Sequence, residues 1–563
     1  MSKMFFERLS ALDNSFLVFE KPHIPMHIGS TMIFEAGELA HPDGGIDVDA
    51  VRDAVRAALP FIPRYRQKIM QVPGSYRWVW VDDSHFNIDY HIRHTALPRP
   101  GGDEELKRLA GRIMESHLDR SRPLWEMWVV EGMDDGRFAI ISKVHHCMID
   151  GVAGVDLMTV LLDVDRESKR PQPGAFIPRR VPTAWELLAD GVSHRAMLPL
   201  RLLKGAGALF KEADDTKRDL LVRLRAVAGM LGWTMASADD IPFNREVGPH
   251  RRADWYAMDL ARVKAVRARL GGSINDIVLT VVAGAVQRML SKRRINPGSV
   301  DFRVLAPVSV RGNDERGRPG NRVSAWLIDL PVDRVDPRAQ LDLVREQTRE
   351  LKESRQAVGA ELLTDVAEWA PSTLLALGTR NVTRMRLFDM IVTNVPGPQF
   401  PVYMAGARLL ETYPVVPLFD NMGLGIALLS YDGAIYWGMN ADYDLFPDTS
   451  EAVDAIDESF AALEAAAQAA SDELTSSGGE VNIQPPAGHK SSEAGGGGAP
   501  PPPPRAPPPP GGPGFPSPGG PPDKGTPNQP RSSSPQARGA RERHTPPALG
   551  ARSEPALAPQ ARL

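Results

Sequence analysis

A single cysteine, Cys147, in a chain of 563 residues excludes any internal disulfide, and a reducing compartment suits the chain. No signal-peptide core is visible, because Lys3, Glu7, Arg8 and Asp13 interrupt the apolar residues of Met1 to Glu20. Long hydrophobic runs are also scarce. The longest strongly apolar stretch, Ile277 to Val286, is about half of the roughly 20 residues that a transmembrane helix needs. Any membrane contact is therefore expected to be peripheral, from the cytoplasmic, inner face. The net charge of −4 gives no general reason to expect nucleic acid, and no nucleic-acid motif is present. No repeat of 20 to 50 residues occurs, which removes solenoid and propeller architectures.

Proline and glycine, in contrast, are in excess, with 51 and 49 copies. Most of the excess lies after about residue 475. Ser491 to Leu563 holds the runs Pro500 to Pro504 and Pro507 to Pro510 and too few apolar residues for a core, so a disordered tail is expected over 475–563. The rest divides into a first lobe over 1–164, a helical connecting region over 165–250 and a second lobe over 251–474. In the first lobe, Gly29 to Glu35 and Tyr76 to Val81 read as strands. Val48 to Leu59 and Asp103 to His117 show helical spacing, and Leu124 to Val130 and Arg137 to His146 read as extended. Gly154 to Leu162 returns to helix. The second lobe suggests strands at Phe302 to Val308, Val323 to Leu330, Met390 to Thr393 and Gly423 to Met439. The alternation points to a mixed α/β (α+β) protein of packed sheets and helices.

The connecting region opens with a capping-box pattern at Thr183 and Glu186. Leu198 to Phe210 and Thr216 to Trp233 then mix apolar bulk with Arg201, Lys204, Lys211, Lys217, Arg218, Arg223 and Arg225. Such helices can lie on an anionic bilayer or pack as a strap with solvated charges. Composition does not separate the two.

The chemistry concentrates in His145-His146-Cys147-Met148-Ile149-Asp150-Gly151. Strand alternation through Arg137 to His146 puts Phe138, Ile140, Ser142, Val144 and His146 on one face and His145 on the other. His146 is the candidate general base, since an imidazole can take a hydroxyl proton and return it. His145 becomes a packing or hydrogen-bonding partner. Asp150 and Gly151 shape the following turn. A metal site is the obvious competitor, but adjacent strand side chains diverge and no further ligand follows at a suitable spacing, so no metal is expected. A Cys147 nucleophile is the other competitor. A structural histidine pair remains open as well. Ser273 with Asp276 resembles a capping box, which places Asn275 in a first turn where its amide can steady an oxyanion or merely help cap the helix.

The HHxxxDG pattern resembles the signature of the chloramphenicol acetyltransferase and condensation-domain superfamily. Leu9-Ser-Ala-Leu-Asp13, Met26-His-Ile-Gly29, Pro123-Leu-Trp-Glu126, Ser273-Ile-Asn-Asp276, Pro307-Val-Ser-Val-Arg311, Gly320-Asn321 and Thr393-Asn-Val-Pro-Gly-Pro398 together resemble the bacterial wax ester synthase/diacylglycerol acyltransferase family. The resemblance covers roughly residues 5 to 470. It implies a two-lobed CoA-dependent acyltransferase fold with the histidine motif midway along a tunnel. It also implies His146 as base and Asp150 as a structural residue, often held by an arginine. Acyl-CoA would be a co-substrate rather than a bound cofactor, and the acceptor diacylglycerol or a long-chain alcohol at a membrane or lipid-droplet surface. Read for themselves, Trp125 is a packing anchor, Glu126 a partner for a base, and Thr393 to Pro398 a strand end with a rigid turn. A non-catalytic lipid-binding scaffold of the same fold is the alternative of a different class.

Overall fold

The computed structural model describes residues 5–42, 45–75, 77–134, 136–148, 160–167, 173–191, 241–309, 323–353 and 388–477. The expected helices at 198–210 and 216–233, most of that at 154–162, and the tail beyond 477 lie outside these residues, as do Asp150 and Gly151; residues 475–477, expected in the tail, are helical. The helices run α1 (Ala11–Phe19), α2 (Val48–Ala58), α3 (Ile88–His91), α4 (Asp103–Glu115), α5 (Leu260–Leu270), α6 (Ile274–Lys292), α7 (Pro337–Glu353) and α8 (Ser450–Ser477), with a further helix at 184–191. The strands are β1 (Glu7–Arg8), β2 (His27–Glu35), β3 (Gln67–Gln71), β4 (Trp78–Asp82), β5 (Ile92–Ala96), β6 (Trp125–Glu131), β7 (Arg137–His145), β8 (Arg251–Asp259), β9 (Phe302–Ser309), β10 (Val323–Leu330), β11 (Met390–Pro396), β12 (Tyr403–Met404), β13 (Ala407–Val415), β14 (Leu424–Tyr431) and β15 (Ala434–Asp442).

Local chemistry accounts for most boundaries. Ser10 caps α1 by accepting the Asp13 N–H, and Asp47 caps α2 by accepting that of Ala50. Pro60 and Pro63 follow α2 and divert the chain into 3-10 turns, so the helix stops one residue short of the expected Leu59. Gly271, at φ +79°, ends α5. The run expected as one strand from Gly423 to Met439 is the hairpin β14–β15, turned at Asp432 and Gly433, both of which have positive φ. The capping box at Thr183 is present: its N–H donates to Glu186 Oε2 at 2.8 Å, and the Glu186 N–H donates to its Oγ1 at 3.3 Å.

Two six-stranded mixed sheets carry the lobes, in the orders β12-β13-β2-β7-β6-β5 and β10-β9-β11-β14-β15-β8. A small sheet β1-β4-β3 flanks the first. Each large sheet has its own apolar core. Ile33, Phe34, Phe138 and Ile140 anchor the first; Val282, Val286, Ile328, Leu428 and Trp437 anchor the second. The chain does not keep the lobes separate: β12 and β13 come from residues 403–415, yet β13 pairs antiparallel with β2 at the edge of the first lobe's sheet. Helix α6, 19 residues long, is apolar and long enough to cross a membrane by length and composition. Most of its apolar stretch is instead buried in the second core, packed against α7 and α8.

Candidate active site at the histidine pair

Strand β7 runs between β2 and β6, and its end delivers the histidine pair. The strand stops at His145, one residue before the expected end, and His146 opens a 3-10 turn through Met148. Alternation nevertheless separates the two rings. The His145 N–H donates to Leu124 O at 2.9 Å and the His146 N–H to Met26 O at 2.8 Å, so neighbouring strands hold the pair from opposite sides.

His146 is half-buried, and its ring stacks on Phe16 of α1 with centroids 3.8 Å apart and planes 17° from parallel. Its Nδ1 is buried and has no hydrogen-bond partner among the described residues. Burial, with a further contribution from neighbouring His145, pulls the imidazole down from 6.5 to about 4, against a weaker opposing effect of its own backbone. The ring is therefore neutral at physiological pH, the form a general base requires.

His145 is fully buried and faces the other way. Its Nδ1 accepts the Cys147 N–H at 3.1 Å, and its Nε2 lies 3.4 Å from Glu20 Oε1 without the alignment of a hydrogen bond. Around that carboxylate stand His117 Nδ1 at 3.3 Å and His27 Nε2 at 3.7 Å, with Arg120 Nε donating to Oε2 at 3.1 Å. Burial alone would raise Glu20, but His117, His145 and Arg120 outweigh it and hold the carboxyl well below the usual range. Contact with Glu20 raises His117, whereas burial, then Lys143 and His145, drive His27 well down.

Cys147 is buried, and burial, then Asp13 and Glu20, push its thiol well above its ordinary value. Such a thiol is a poor nucleophile. A metal shared by the pair meets the geometric objection that the two rings diverge. Among the described residues, no group of three or more His, Cys, Asp or Glu side chains is placed to hold one.

A family model described as the wax ester synthase/diacylglycerol acyltransferase catalytic domain matches residues 9–278, and its C-terminal counterpart matches 319–464. A putative diacylglycerol O-acyltransferase of Mycobacterium tuberculosis is 32% identical over 453 residues, covering 78% of this chain and 87% of that protein. The chain belongs to the wax ester synthase/diacylglycerol acyltransferase family. The probable diacylglycerol O-acyltransferase tgs1 of the same organism is 30% identical over 481 residues, covering 81% and 95% of the two chains. The solved wax ester synthase/diacylglycerol acyltransferase of Marinobacter aquaeolei superposes with a TM-score of 0.59 at 25% identity, over 82% of this chain and all of that one. The starter condensation domain of rhizomide synthetase shares the fold, at a TM-score of 0.51 and 12% identity over 82% and 95%.

The family's other motifs fall into place around this frame. Trp125 is buried, donates its Nε1–H to Tyr65 O at 2.9 Å and stacks on His91 at 4.4 Å. Glu126 accepts from Arg93 at 2.9 Å and lies 3.6 Å from buried Lys143. At the end of β11, the Gly397 N–H donates to Ser430 O of β14 at 2.9 Å, so the motif continues the sheet before the chain leaves it. Asp276 is a helix cap. One oxygen accepts the Ser273 N–H at 2.7 Å and the other accepts Thr348 Oγ1 at 2.9 Å from α7, so the carboxylate ties the start of α6 to α7. Asn275 is half-buried in the first turn of α6. Among the described residues, no hydrogen bond or ion pair joins either residue to the histidine pair. Glu20, His27, His117 and Arg120 were not singled out chemically by sequence reasoning. The pairing of His27 opposite His145 on β2 and β7 brings one of them to the histidine pair, and nothing in linear spacing announces it.

The depressed value of His146 sets the pH behaviour. A base with a folded value near 4 stays unprotonated down to well below 6.5. We expect kcat/KM to be level between about pH 8 and pH 6, with its acid limb displaced below the ordinary histidine value. The stability sign is the same for His146 and Glu20: both folded values lie below the unfolded ones, so the stability they contribute is present at neutral pH and lost on acidification. A pH–rate profile with return-to-neutral controls separates titration from unfolding; a limb centred at 6.5 would contradict the buried ring.

Proposed function

We propose that this protein transfers a fatty acyl group from acyl-CoA to diacylglycerol, forming triacylglycerol. The observation that carries the reading is the neutral, Phe16-stacked His146 at the head of its turn, in a chain of this family. His146 takes the proton of the acceptor hydroxyl, and the oxygen attacks the thioester carbonyl. A C–O bond forms as the C–S bond breaks, and the proton passes from the imidazolium to the departing coenzyme A thiolate. The thioester is already activated, so no covalent enzyme intermediate is needed. Asn275, whose amide donates, is the proposed oxyanion donor. Asp150 is proposed as a structural rather than a reacting residue of the motif. No metal or bound cofactor takes part. Thin-layer analysis of products from acyl-CoA with diacylglycerol and, separately, hexadecanol tests this. Triacylglycerol as the main product supports it; wax ester alone makes a long-chain alcohol the acceptor, and neither product leaves the lipid-binding scaffold.

Both acceptors partition into bilayers, so the enzyme is proposed to work peripherally at the inner face of the membrane or at a lipid droplet. The basic stretches 198–210 and 216–233 are the proposed contact, since each Lys or Arg near an anionic surface contributes about 1 kcal/mol. Liposome flotation should rise with anionic lipid and fall with salt, and it should weaken when Arg218, Arg223 and Arg225 are together changed to Glu. Equal flotation of wild type and triple variant would leave the strap reading.

A further inference from the structure

We propose that Glu20 is a positioning residue for acyl transfer, acting on the turn that carries His146 through the ring of His145 and the peptide of Met26. The inference rests on the reading of His146 as base. Two paths run from this one carboxylate to consecutive backbone N–H groups of the turn, the first beginning with a charge contact and the second with a hydrogen bond. Along the first, Glu20 Oε1 faces His145 Nε2 at 3.4 Å, and His145 Nδ1 accepts the Cys147 N–H at 3.1 Å. Along the second, Oε1 accepts the Met26 N–H at 3.4 Å, and Met26 O accepts the His146 N–H at 2.8 Å.

The first path imposes a tautomer. A ring nitrogen that accepts a backbone N–H carries no proton, so the proton of the His145 ring sits on Nε2. That proton lies on the side of the ring nearest the carboxylate, whose Oε1 is 3.4 Å from Nε2. The opposite tautomer would set two N–H groups against each other at Cys147 and leave Nε2, bare and buried, facing a negative charge. His145 thus behaves like a cap on the 3-10 turn, accepting from the residue two positions on as an Asx turn does. Glu20 selects the tautomer that allows it.

The surroundings keep Glu20 charged and fixed. Its side chain is 7% exposed, and Arg120 donates to Oε2 through both Nε and Nη2. Arg120 is itself tied to Leu17 O on α1 at 3.2 Å. His117 anchors to Pro22 O at 3.0 Å through the nitrogen that does not face Glu20. Helix α1 thereby touches both rings of the pair: Phe16 lies on His146, and Glu20, one residue past the helix end, faces His145. The adjacent histidines at the end of β7, met by Phe16 and Glu20 one turn apart at the C-terminal end of α1, divide the work of reaction and support.

A double-mutant comparison tests the assignment, with coenzyme A release followed on acyl-CoA and hexadecanol and melting curves run for every variant. Glu20→Gln should lower kcat by about 10- to 100-fold, the scale of a small misplacement of a reacting group, with KM changed less than about threefold. His145→Asn presents an oxygen that can take the Cys147 N–H without any tautomer, so it should lose far less kcat than His145→Ala. In the His145→Asn background, Glu20→Gln should cost less than about threefold. Should Glu20→Gln give no soluble protein, Arg120→Gln makes the same comparison by unpairing Oε2. Equal losses in both backgrounds, a loss confined to KM, or a His145→Asn variant as impaired as His145→Ala would overturn the proposal. Failure of the base reading is seen separately, as activity retained by His146→Ala.

Discussion

Replacing His146 by alanine should lower turnover by about 100- to 10,000-fold, the usual contribution of a general base, while the protein remains folded. The second half of that expectation follows from the ring's position. It is half-buried and stacked on Phe16, whereas the core beneath the site is formed by neighbours such as Val144, Cys147 and Met148. Its backbone N–H, which holds the turn to Met26, survives the substitution. His145→Ala is different in kind, because it empties a fully buried site and releases the Cys147 N–H, so its melting temperature should fall along with its rate. Coenzyme A release and melting curves measured on both variants distinguish the two. A His146→Ala enzyme within about threefold of wild type would remove the ring from the chemistry.

Gly438→Ala should prevent or severely destabilise folding, although the residue lies outside the active-site motif. Tyr436, Gly438 and Asn440 alternate along one face of β15, against β13 in the other lobe's sheet. Tyr436 Oη donates to Leu410 O at 2.9 Å and Asn440 Nδ2 to Val416 O at 2.8 Å. Between them, a Cβ on residue 438 would stand 1.8 Å from Pro414 O and 2.9 Å from its carbonyl carbon. Both obstacles are backbone, and Pro414 is held in register with Ser30 of β2, so the added methyl has no flexible side chain to displace. Overpacking ordinarily costs about 1 to 3 kcal/mol, and this contact belongs at or beyond the upper end. Gly174→Ala, at a position with nothing within 4 Å, is the matched control. Equal soluble yields and melting temperatures for the two variants would show that the lobes can separate enough to admit a methyl group.

The parts of this protein legible in the sequence are those set by local chemistry. The caps at Thr183 and Ser273, the strand ending in the histidine pair, and the divergence of its two rings follow from residues a few positions apart. Trp125 as an anchor and Glu126 as a partner for a base are legible for the same reason. The buried cluster around Glu20 is not, because residues 20, 27, 117, 120 and 145 meet only through sheet register and helix packing. The tight turn at Asp432-Gly433 was also legible, since Asp-Gly between two apolar segments signals a hairpin, although 423–439 was read as one strand. Asp276 shows both cases: its capping pattern was readable, but its second partner, Thr348 on α7, was not, because the two residues meet only through helix packing.

The passage of β13 into the first lobe's sheet also bears on how the chain is made. Strand β7 is complete at residue 145, but the strand that closes the other side of β2 begins at residue 407, 262 positions later (407 − 145). At synthesis rates of about 5 to 20 residues per second, that interval is on the order of 13 to 52 seconds. Throughout it, β2 presents an unpaired edge along Gly29 to Phe34, the kind of edge that invites pairing with another chain. The nascent first lobe therefore cannot complete its sheet in the order in which it is synthesised, and the residues that will hold the histidine pair wait on an edge strand supplied from the far half of the protein.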